Sequence, residues 1–222
     1  MRLVHPMFIT ALLCVAAAAC SPAVEAPTQT LVTVLVRASA ETAPSTTQLD
    51  MARQVVETRL SILLEPDPEV TISEGGLRVT AADTPETRMM LEGSIEPGFF
   101  VLLNSESPLP TGSIVPRDAL VILTGNSVIN AEAVPTEAGG WLVVVDFDDG
   151  GSATMAQFST QNLDHYLTLA KDNEVITSMR LEAAILDGSA AIVGLDQSVA
   201  RIIAAQMEGG SLPLGLTLAI EP

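Results

Sequence analysis

Nucleophilic catalysis in this chain would depend on a histidine, because a Ser-His-Asp triad needs an imidazole between its hydroxyl and its carboxylate. The 222 residues include two histidines, and His165 is the one that lies outside the N-terminal segment. The sequence places His165 between a predicted helix and a predicted strand, with no nucleophile-elbow motif beside it. We therefore predict that His165 is solvated or has a capping role, that no residue is catalytic and that the protein is not an enzyme.

Acidic and glycine-rich turns are the other candidates for ligand chemistry. Asp146-Phe147-Asp148-Asp149-Gly150 resembles the start of a calcium loop but lacks the later glutamate of an EF-hand, so we interpret it as a strand that ends in an Asp-Gly turn. No Gly-Lys-Ser/Thr pattern follows the glycine pairs, so none is a phosphate loop. Zinc would need three or four nitrogen or sulfur ligands. The sequence thus predicts no metal and no cofactor.

Both cysteines, Cys14 and Cys20, lie near the N-terminus, so no disulfide can join parts of the folded region. Residues 1–19 have a short positive start and an apolar stretch too short to span a bilayer, which is typical of a signal peptide. Ala17-Ala18-Ala19-Cys20 resembles a bacterial lipobox, which predicts lipidation at Cys20; the alternative is ordinary cleavage near Ala19. Residues 20–29 then form a flexible tether, and Ser21 after the cysteine favours sorting to the outer membrane.

Composition and charge narrow the class of protein. Apolar residues make up 48% of the chain, which is enough to bury a core, and the formal net charge is −17. Such an acidic chain repels phosphate backbones, so nucleic acid is not a predicted partner. The charge also disfavours wide contact with anionic lipid, so we expect any attachment to a membrane to be covalent or mediated by a partner.

The periodicity of apolar residues predicts an α+β fold in two parts, with mostly antiparallel sheets and packed helices. Helices are predicted at 47–64, 84–92, 153–163 and 196–208, with Thr46 or Thr47 capping the first and Asp196 capping the last. Strands are predicted at 31–36, 69–73, 77–80, 99–103, 119–123, 127–135, 140–148, 166–171, 174–181, 189–193 and 214–220. The segment 104–117, rich in Pro, Ser and Gly, is the predicted boundary between parts at 30–108 and 118–222.

The order of motifs in the second part resembles the head subdomain of the first periplasmic domain of SecD, a subunit of the Sec export machinery. The resemblance rests on segments 123–131, 143–147, 158–160 and 167–178, and on the closing run 192–213. Asn173 stands where the family has a turn glycine, and Met179 where it usually has proline. The first part resembles the base of that domain more loosely, which implies a ferredoxin-like base, 30–108, that carries a SecD-type head, 118–222.

The resemblance implies a non-enzymatic binding module on the periplasmic side of the envelope, tethered by lipid at Cys20. Its expected partner is an exported polypeptide or an envelope protein complex, which exposed apolar surface and sheet edges could hold by strand addition. We expect base and head to hinge around 104–117. The alternative is a structural or accessory envelope lipoprotein with a fixed protein partner and no handling of clients. The oligomeric state does not follow from the sequence.

Overall fold

The base is built from the first three strands and the last one. The computed structural model describes residues 31–39 and 43–219. The chain begins with β1 (Leu31–Ala38), α1 (Thr46–Leu63), β2 (Glu69–Ser73), β3 (Gly76–Ala82) and α2 (Pro85–Ser94). The base sheet is closed by the final strand of the chain, Leu216–Ala219, which pairs antiparallel with β1. This last strand lies at one edge of the sheet, followed in order by β1, β3 and β2.

That strand order is the βαββαβ arrangement of a ferredoxin-like fold, with about 120 residues inserted before the last strand. Helix α1 packs on the sheet through an apolar face with helical spacing, made of Leu49, Ala52, Val56, Leu60 and Leu63. The helix begins one residue earlier than Thr47 because Ser45, not a threonine, is its cap. The Ser45 hydroxyl accepts from the Gln48 amide, and the Gln48 side chain accepts from the Ser45 amide.

The inserted head contains two further antiparallel sheets. Its elements are β4 (Phe100–Ser105), β5 (Leu120–Thr124), β6 (Val128–Pro135), β7 (Trp141–Phe147), α3 (Asp149–Gln161), β8 (Tyr166–Lys171), β9 (Glu174–Arg180), β10 (Ser189–Leu195) and α4 (Gln197–Gly209), and β11 (Leu216–Ala219) returns to the base. One sheet has the order β5-β4-β8-β9, and the other has the order β10-β7-β6. Their facing apolar side chains form the head core together with Met155 of α3 and Ala200, Ile203, Ala204 and Met207 of α4.

The predicted fold class is confirmed, since the described part of the chain contains four α-helices that pack on three antiparallel sheets. The sheets do not follow the linear division at 104–117, however. Strand β4 lies before that segment and pairs with β8 of the head, whereas β11 lies far after it and pairs with the base. The segment 104–117, at which a hinge was predicted, includes the end of β4 and joins it to β5, its neighbour in one head sheet.

The acidic run after β7 also differs from its predicted form. Helix α3 begins at Asp149, four residues before the predicted start, because the Asp148 carboxylate accepts a 2.6 Å hydrogen bond from the Gly151 amide and caps the helix. The expected Asp-Gly turn at Gly150 is thus the first turn of α3. By contrast, β8 and β9 are joined where the predicted strands leave two residues between them, and Asp172 and Asn173 there have positive φ values of 51° and 72°, which suit a tight hairpin.

Candidate functional site

The head sheet that contains β4 has two edges, and the chain itself covers the one formed by β9. We call residues 109–115 the strap, because they run alongside β9, with a turn in which the Ser113 amide donates to the Pro110 carbonyl oxygen (3.1 Å). The Gly112 amide donates to the Val175 carbonyl oxygen (2.8 Å), and the Val175 amide donates to the Ser113 carbonyl oxygen (2.9 Å). The Val115 amide adds a bond to the Asn173 carbonyl oxygen (3.1 Å). These bonds satisfy β9 groups that would otherwise face solvent at a sheet edge.

The opposite edge, β5, has no such cover among the described residues, where β4 is its one partner strand. Leu120 is 62% exposed and Val121 is 49% exposed. The register with β4 shifts between the pairs Leu102–Leu123 and Leu103–Val121, so Ile122 forms a bulge. Lysine and proline, which commonly protect edge strands, are both missing from the β5 sequence Leu-Val-Ile-Leu-Thr. Within the described ranges, the outer edge of β5 therefore has no partner strand and lies beside exposed apolar side chains.

Helix α3 lies beside this edge and leaves a groove of about 340 Å³ between helix and strand. We call it the β5 groove, and it is lined by Leu120, Val121, Ile122, Thr154, Gln157, Phe158, Gln161 and Asn162. None of these side chains is charged. An edge strand next to a helix is an arrangement to which an extended peptide can add as a further strand.

On its other face, β5 borders a second hollow, of about 470 Å³, between the sheet and the segment that leads into β5. Val121 and its cross-strand partner Leu103 both line it, together with Val101, Phe99 and Ile114. Phe99 and Ile114 are exposed. The edge of β5 thus has apolar surface on both of its faces.

The space between the two head sheets is not a binding site. It is bounded almost entirely by core side chains, including Phe100, Val145, Leu169 and Ile192, and its volume of about 20 Å³ would hold one water molecule. It is a packing void of the core.

A polar junction joins base and head at the two points where the chain crosses between them. Arg59 of α1 is fully buried. Its guanidinium donates to the carbonyl oxygens of Ser94 (2.8 Å) and Glu96 (2.6 Å) at the first crossing, and to that of Gly210 (2.5 Å) at the second. A further bond goes to the Pro97 carbonyl oxygen (3.1 Å).

Head side chains complete the junction. The Glu96 carboxylate accepts from Lys171 Nζ (2.5 Å) and from Gln206 Nε2 (2.9 Å). The Asp172 carboxylate accepts from the amides of Gly98 (3.1 Å) and Phe99 (2.8 Å). The hairpin of β8 and β9, which contacts the strap, is therefore also hydrogen-bonded to the first crossing through Asp172.

Burial and nearby charges shift two pKa values in this junction. Burial lowers the pKa of Arg59 to about 10, against the opposing effects of Asp172 and Glu96. For Glu96, burial raises the pKa, but hydrogen bonds from Lys171 and Gln206 and the charges of Lys171 and Arg59 outweigh it, so the net pKa is lowered. The junction thus holds an arginine cation and a glutamate anion at neutral pH.

The His165 ring has an asparagine, and no serine or carboxylate, as its hydrogen-bond partner among residues 31–39 and 43–219. Its Nδ1 lies 3.1 Å from the Asn104 Oδ1, and its backbone amide donates to the Asn162 carbonyl oxygen after the end of α3. Asp146 is on the outer face of β7, where it accepts from Ser189 Oγ (2.6 Å) and Asn130 Nδ2 (2.9 Å), and these bonds lower its pKa. Across the described residues, no group of three His, Cys, Asp or Glu side chains is placed to hold a metal ion.

The tryptophan and three of the methionines differ in burial. Trp141 is half-buried against the head core, and Met155 and Met90 are buried. Met89 is exposed on α2. Cys20, the predicted signal peptide and the tether lie outside the described residues. In the described part of the chain, no helix combines the length and the apolar character of a membrane span.

Sequence reasoning did not single out the β5 groove or Arg59. The sequence of α3 could have indicated the groove, because a helix on a protein surface usually carries several charges. Helix α3 carries one charged residue, Asp149, and its remaining positions are neutral. For Arg59, the signal was its place on the apolar face of α1, between Val56 and Leu63 at helical spacing.

Fold and site together define a class: an α+β domain with a ferredoxin-like base, an inserted two-sheet head and an open apolar strand edge. Residues 103–214, just over half of the chain, match the family described as the P1 head subdomain of SecDF, and the chain belongs to that family.

Two curated relatives are protein translocase subunits SecD. That of Thermobaculum terrenum is 32% identical over 104 residues, and that of Acidaminococcus fermentans is 28% identical over 96 residues. These matches cover 46% and 43% of this chain, but only 20% and 23% of the relatives, so the chain spans a fraction of their length.

Two solved structures share the fold over 85% of this chain. One is of SecDF, a membrane component that enhances protein export, with a TM-score of 0.63, 24% identity and 98% of that chain covered. The other is SecDF in a super-membrane-facing form, with a TM-score of 0.68, 23% identity and 29% of that chain covered. The likeness extends the shared fold from the head to the base.

Proposed function

We propose that this chain is a non-enzymatic accessory of protein export, which holds extended segments of exported polypeptides at the edge of β5. The single observation that carries the proposal is the uncovered β5 edge beside Leu120 and Val121, with helix α3 on one side. Membership of the SecDF head family supports the connection with export.

Strand addition suits this task because most of the binding comes from backbone groups. Every polypeptide offers the same amides and carbonyls, so an edge strand can bind many sequences. Exposed apolar side chains next to the edge add affinity for unfolded segments, whose own apolar residues are still exposed to water. Binding of this kind is passive and needs no cofactor.

We further propose that the domain acts on the periplasmic side of the envelope and is held there by lipid on Cys20. The support is the lipobox-like sequence, together with the acidic charge that disfavours direct contact with anionic lipid. Ser21 after the cysteine favours the outer membrane as the destination.

The test is site-specific photocrosslinking in cells, with the crosslinking residue at Gln157 in the β5 groove and, as a control, at exposed Ile129, which does not line that groove. We expect secreted precursors to crosslink from Gln157 and not from Ile129. The same experiment with Cys20→Ser, which removes the acylated residue, should reduce the yield of crosslinks. Equal labelling from both positions would contradict the proposed site.

The alternative, a structural lipoprotein with a fixed partner, predicts a different pattern. One protein would then crosslink stoichiometrically, whether or not export is active. A set of precursors that disappears when export is blocked supports client binding instead.

A further inference from the structure

We infer that the β5 edge selects uncharged segments with apolar side chains on both faces of the added strand. The inference rests on the proposed function and specifies its substrate class. In a strand, successive side chains point to opposite faces, so a segment added at β5 would present alternate residues to the α3 side and to the hollow on the other side.

The α3 side offers such a segment no charged partner. Helix α3 contributes Thr154, Gln157, Phe158 and Gln161 to the groove, and Ile122 of β5 packs against the head core beside it. A charged ligand side chain would lose water there without gaining an ion pair. This neutrality is local, since the chain as a whole has a net charge of −17.

The hollow side is also apolar near the edge. Val121 and Leu103 are cross-strand partners that line it, and Ile114 lies exposed nearby. Arg117 is the one charged residue in its lining. Alternate residues on this side would therefore meet mainly aliphatic surface. Those on the α3 side would meet Phe158 and the neutral side chains of Gln157 and Gln161.

The opposite edge of the same sheet shows what kind of segment this sheet accepts. The strap covers β9 with residues 109–115, Leu-Pro-Thr-Gly-Ser-Ile-Val, which carry no charge. It is held by backbone bonds from Gly112 and Val115 and to Ser113. The sheet thus already binds an uncharged segment of the chain at one edge through backbone hydrogen bonds, and β5 offers the other edge to a segment of similar chemistry.

Amphipathic strands, with charges on alternate positions, are predicted to bind poorly. In one register of addition the charged face of such a strand lies against the α3 side, and in the other register it lies against the second hollow. Segments that are apolar throughout, such as the cores of unfolded parallel sheets, fit both.

The test measures binding of three labelled peptides to the mature chain by fluorescence anisotropy. The first is Gly-Val-Val-Ile-Val-Val-Gly, the second has threonine on one face (Gly-Thr-Val-Thr-Val-Thr-Gly), and the third has charges on that face (Gly-Lys-Val-Glu-Val-Lys-Gly). We expect the third to bind about tenfold more weakly than the first, with the second between them. A version of the first peptide with alternate N-methylated amides should not bind, because it cannot pair with an edge strand.

The matched variants are Val121→Lys in β5 and Val193→Lys in β10. Both valines are 49% exposed, so we expect the two substitutions to have similar effects on folding. Val193 lines neither the β5 groove nor the second hollow. Val121→Lys should weaken binding of the first peptide about tenfold, and Val193→Lys should leave it unchanged.

The outcomes separate the inference from the function on which it rests. Equal binding of the charged and apolar peptides, abolished by Val121→Lys, would overturn the selectivity and keep the strand-addition site. Failure of all peptides to bind would overturn the proposed site itself. Peptide-independent self-association that Val121→Lys removes would show that the edge pairs with a second copy of the chain, which contradicts both.

Discussion

The guanidinium of Arg59 donates a 2.6 Å hydrogen bond to the main-chain oxygen of Glu96, at the point where the chain leaves the base for the head. The same guanidinium donates to the carbonyl oxygen of Gly210, where the chain begins its return. One side chain of α1 therefore holds both crossings, although they are separated by more than 110 residues of sequence. The position of the β5 edge relative to the base depends on this junction.

Arg59→Ala is expected to destabilise the protein strongly. It leaves the carbonyl oxygens of Ser94, Glu96, Pro97 and Gly210 without this donor, and buried groups that lose a partner cost about 1–3 kcal/mol each when water cannot replace it. We expect the free energy of unfolding in urea to fall by about 3 kcal/mol or more.

Arg53→Ala on the same helix is the control for that experiment. Arg53 forms surface ion pairs with Asp50 (3.1 Å) and Glu57 (2.6 Å), which contribute less than about 1 kcal/mol. Equal losses for the two variants would show that the buried carbonyl contacts of Arg59 do not stabilise the junction.

The lowered pKa of Glu96 predicts that part of the stability is lost in acid. A carboxylate whose pKa is lower in the folded state stabilises the fold above its unfolded pKa, ordinarily 4.5, and this contribution disappears as the pH falls through the folded value. We expect the urea midpoint of the unmodified protein to fall over this acidic range, and Glu96→Gln to remove that part of the decline.

Glu86→Gln serves as the comparison for the acid titration. Glu86 is exposed and pairs with Arg201 at 3.2 Å, a surface ion pair whose loss should lower the free energy of unfolding by less than about 1 kcal/mol. If Glu96→Gln and the unmodified protein have parallel profiles, the hydrogen bonds from Lys171 and Gln206 do not stabilise the carboxylate.

Local sequence patterns predicted most helices and strands because their signals are local. The apolar spacing of α1 and the capping residue Asp196 of α4 are readable from a few neighbouring residues. The pairing of strands is not local. Nothing within residues 100–105 indicates that β4 pairs with β8 rather than with the base, since that choice depends on contacts more than 60 residues away.

The open edge of β5 could not be predicted for the same reason. Its sequence is that of an ordinary buried strand, and its exposure follows from its place at the end of a sheet. The position of the strap on β9 could not be predicted either, because a segment rich in proline and glycine is typical of a linker. In the structure, its amides donate to the carbonyl oxygens of Val175 and Asn173. Sequence alone therefore suggested strand addition as a mode of binding without locating the strand.

Gly98→Ala should test the junction from its other side. Gly98 has a φ of +70°, and a Cβ there would lie 2.4 Å from Arg59 Nη2, whereas Gly139, with a φ of +88°, has no atom within 4 Å of such a Cβ. Both substitutions carry the cost of positive φ, about 1–2 kcal/mol, but only Gly98→Ala also displaces the guanidinium. We expect Gly98→Ala to lower the free energy of unfolding by about 2 kcal/mol more than Gly139→Ala does.

A double-mutant cycle distinguishes this clash from backbone strain. In an Arg59→Ala background the guanidinium is gone, so the cost of Gly98→Ala should fall to that of Gly139→Ala. An unchanged cost would mean that the φ of Gly98 alone matters and that Arg59 does not require a glycine beside it. A reduced cost would establish that the buried arginine and the glycine opposite it stabilise the first crossing as one unit, on which the orientation of the head depends.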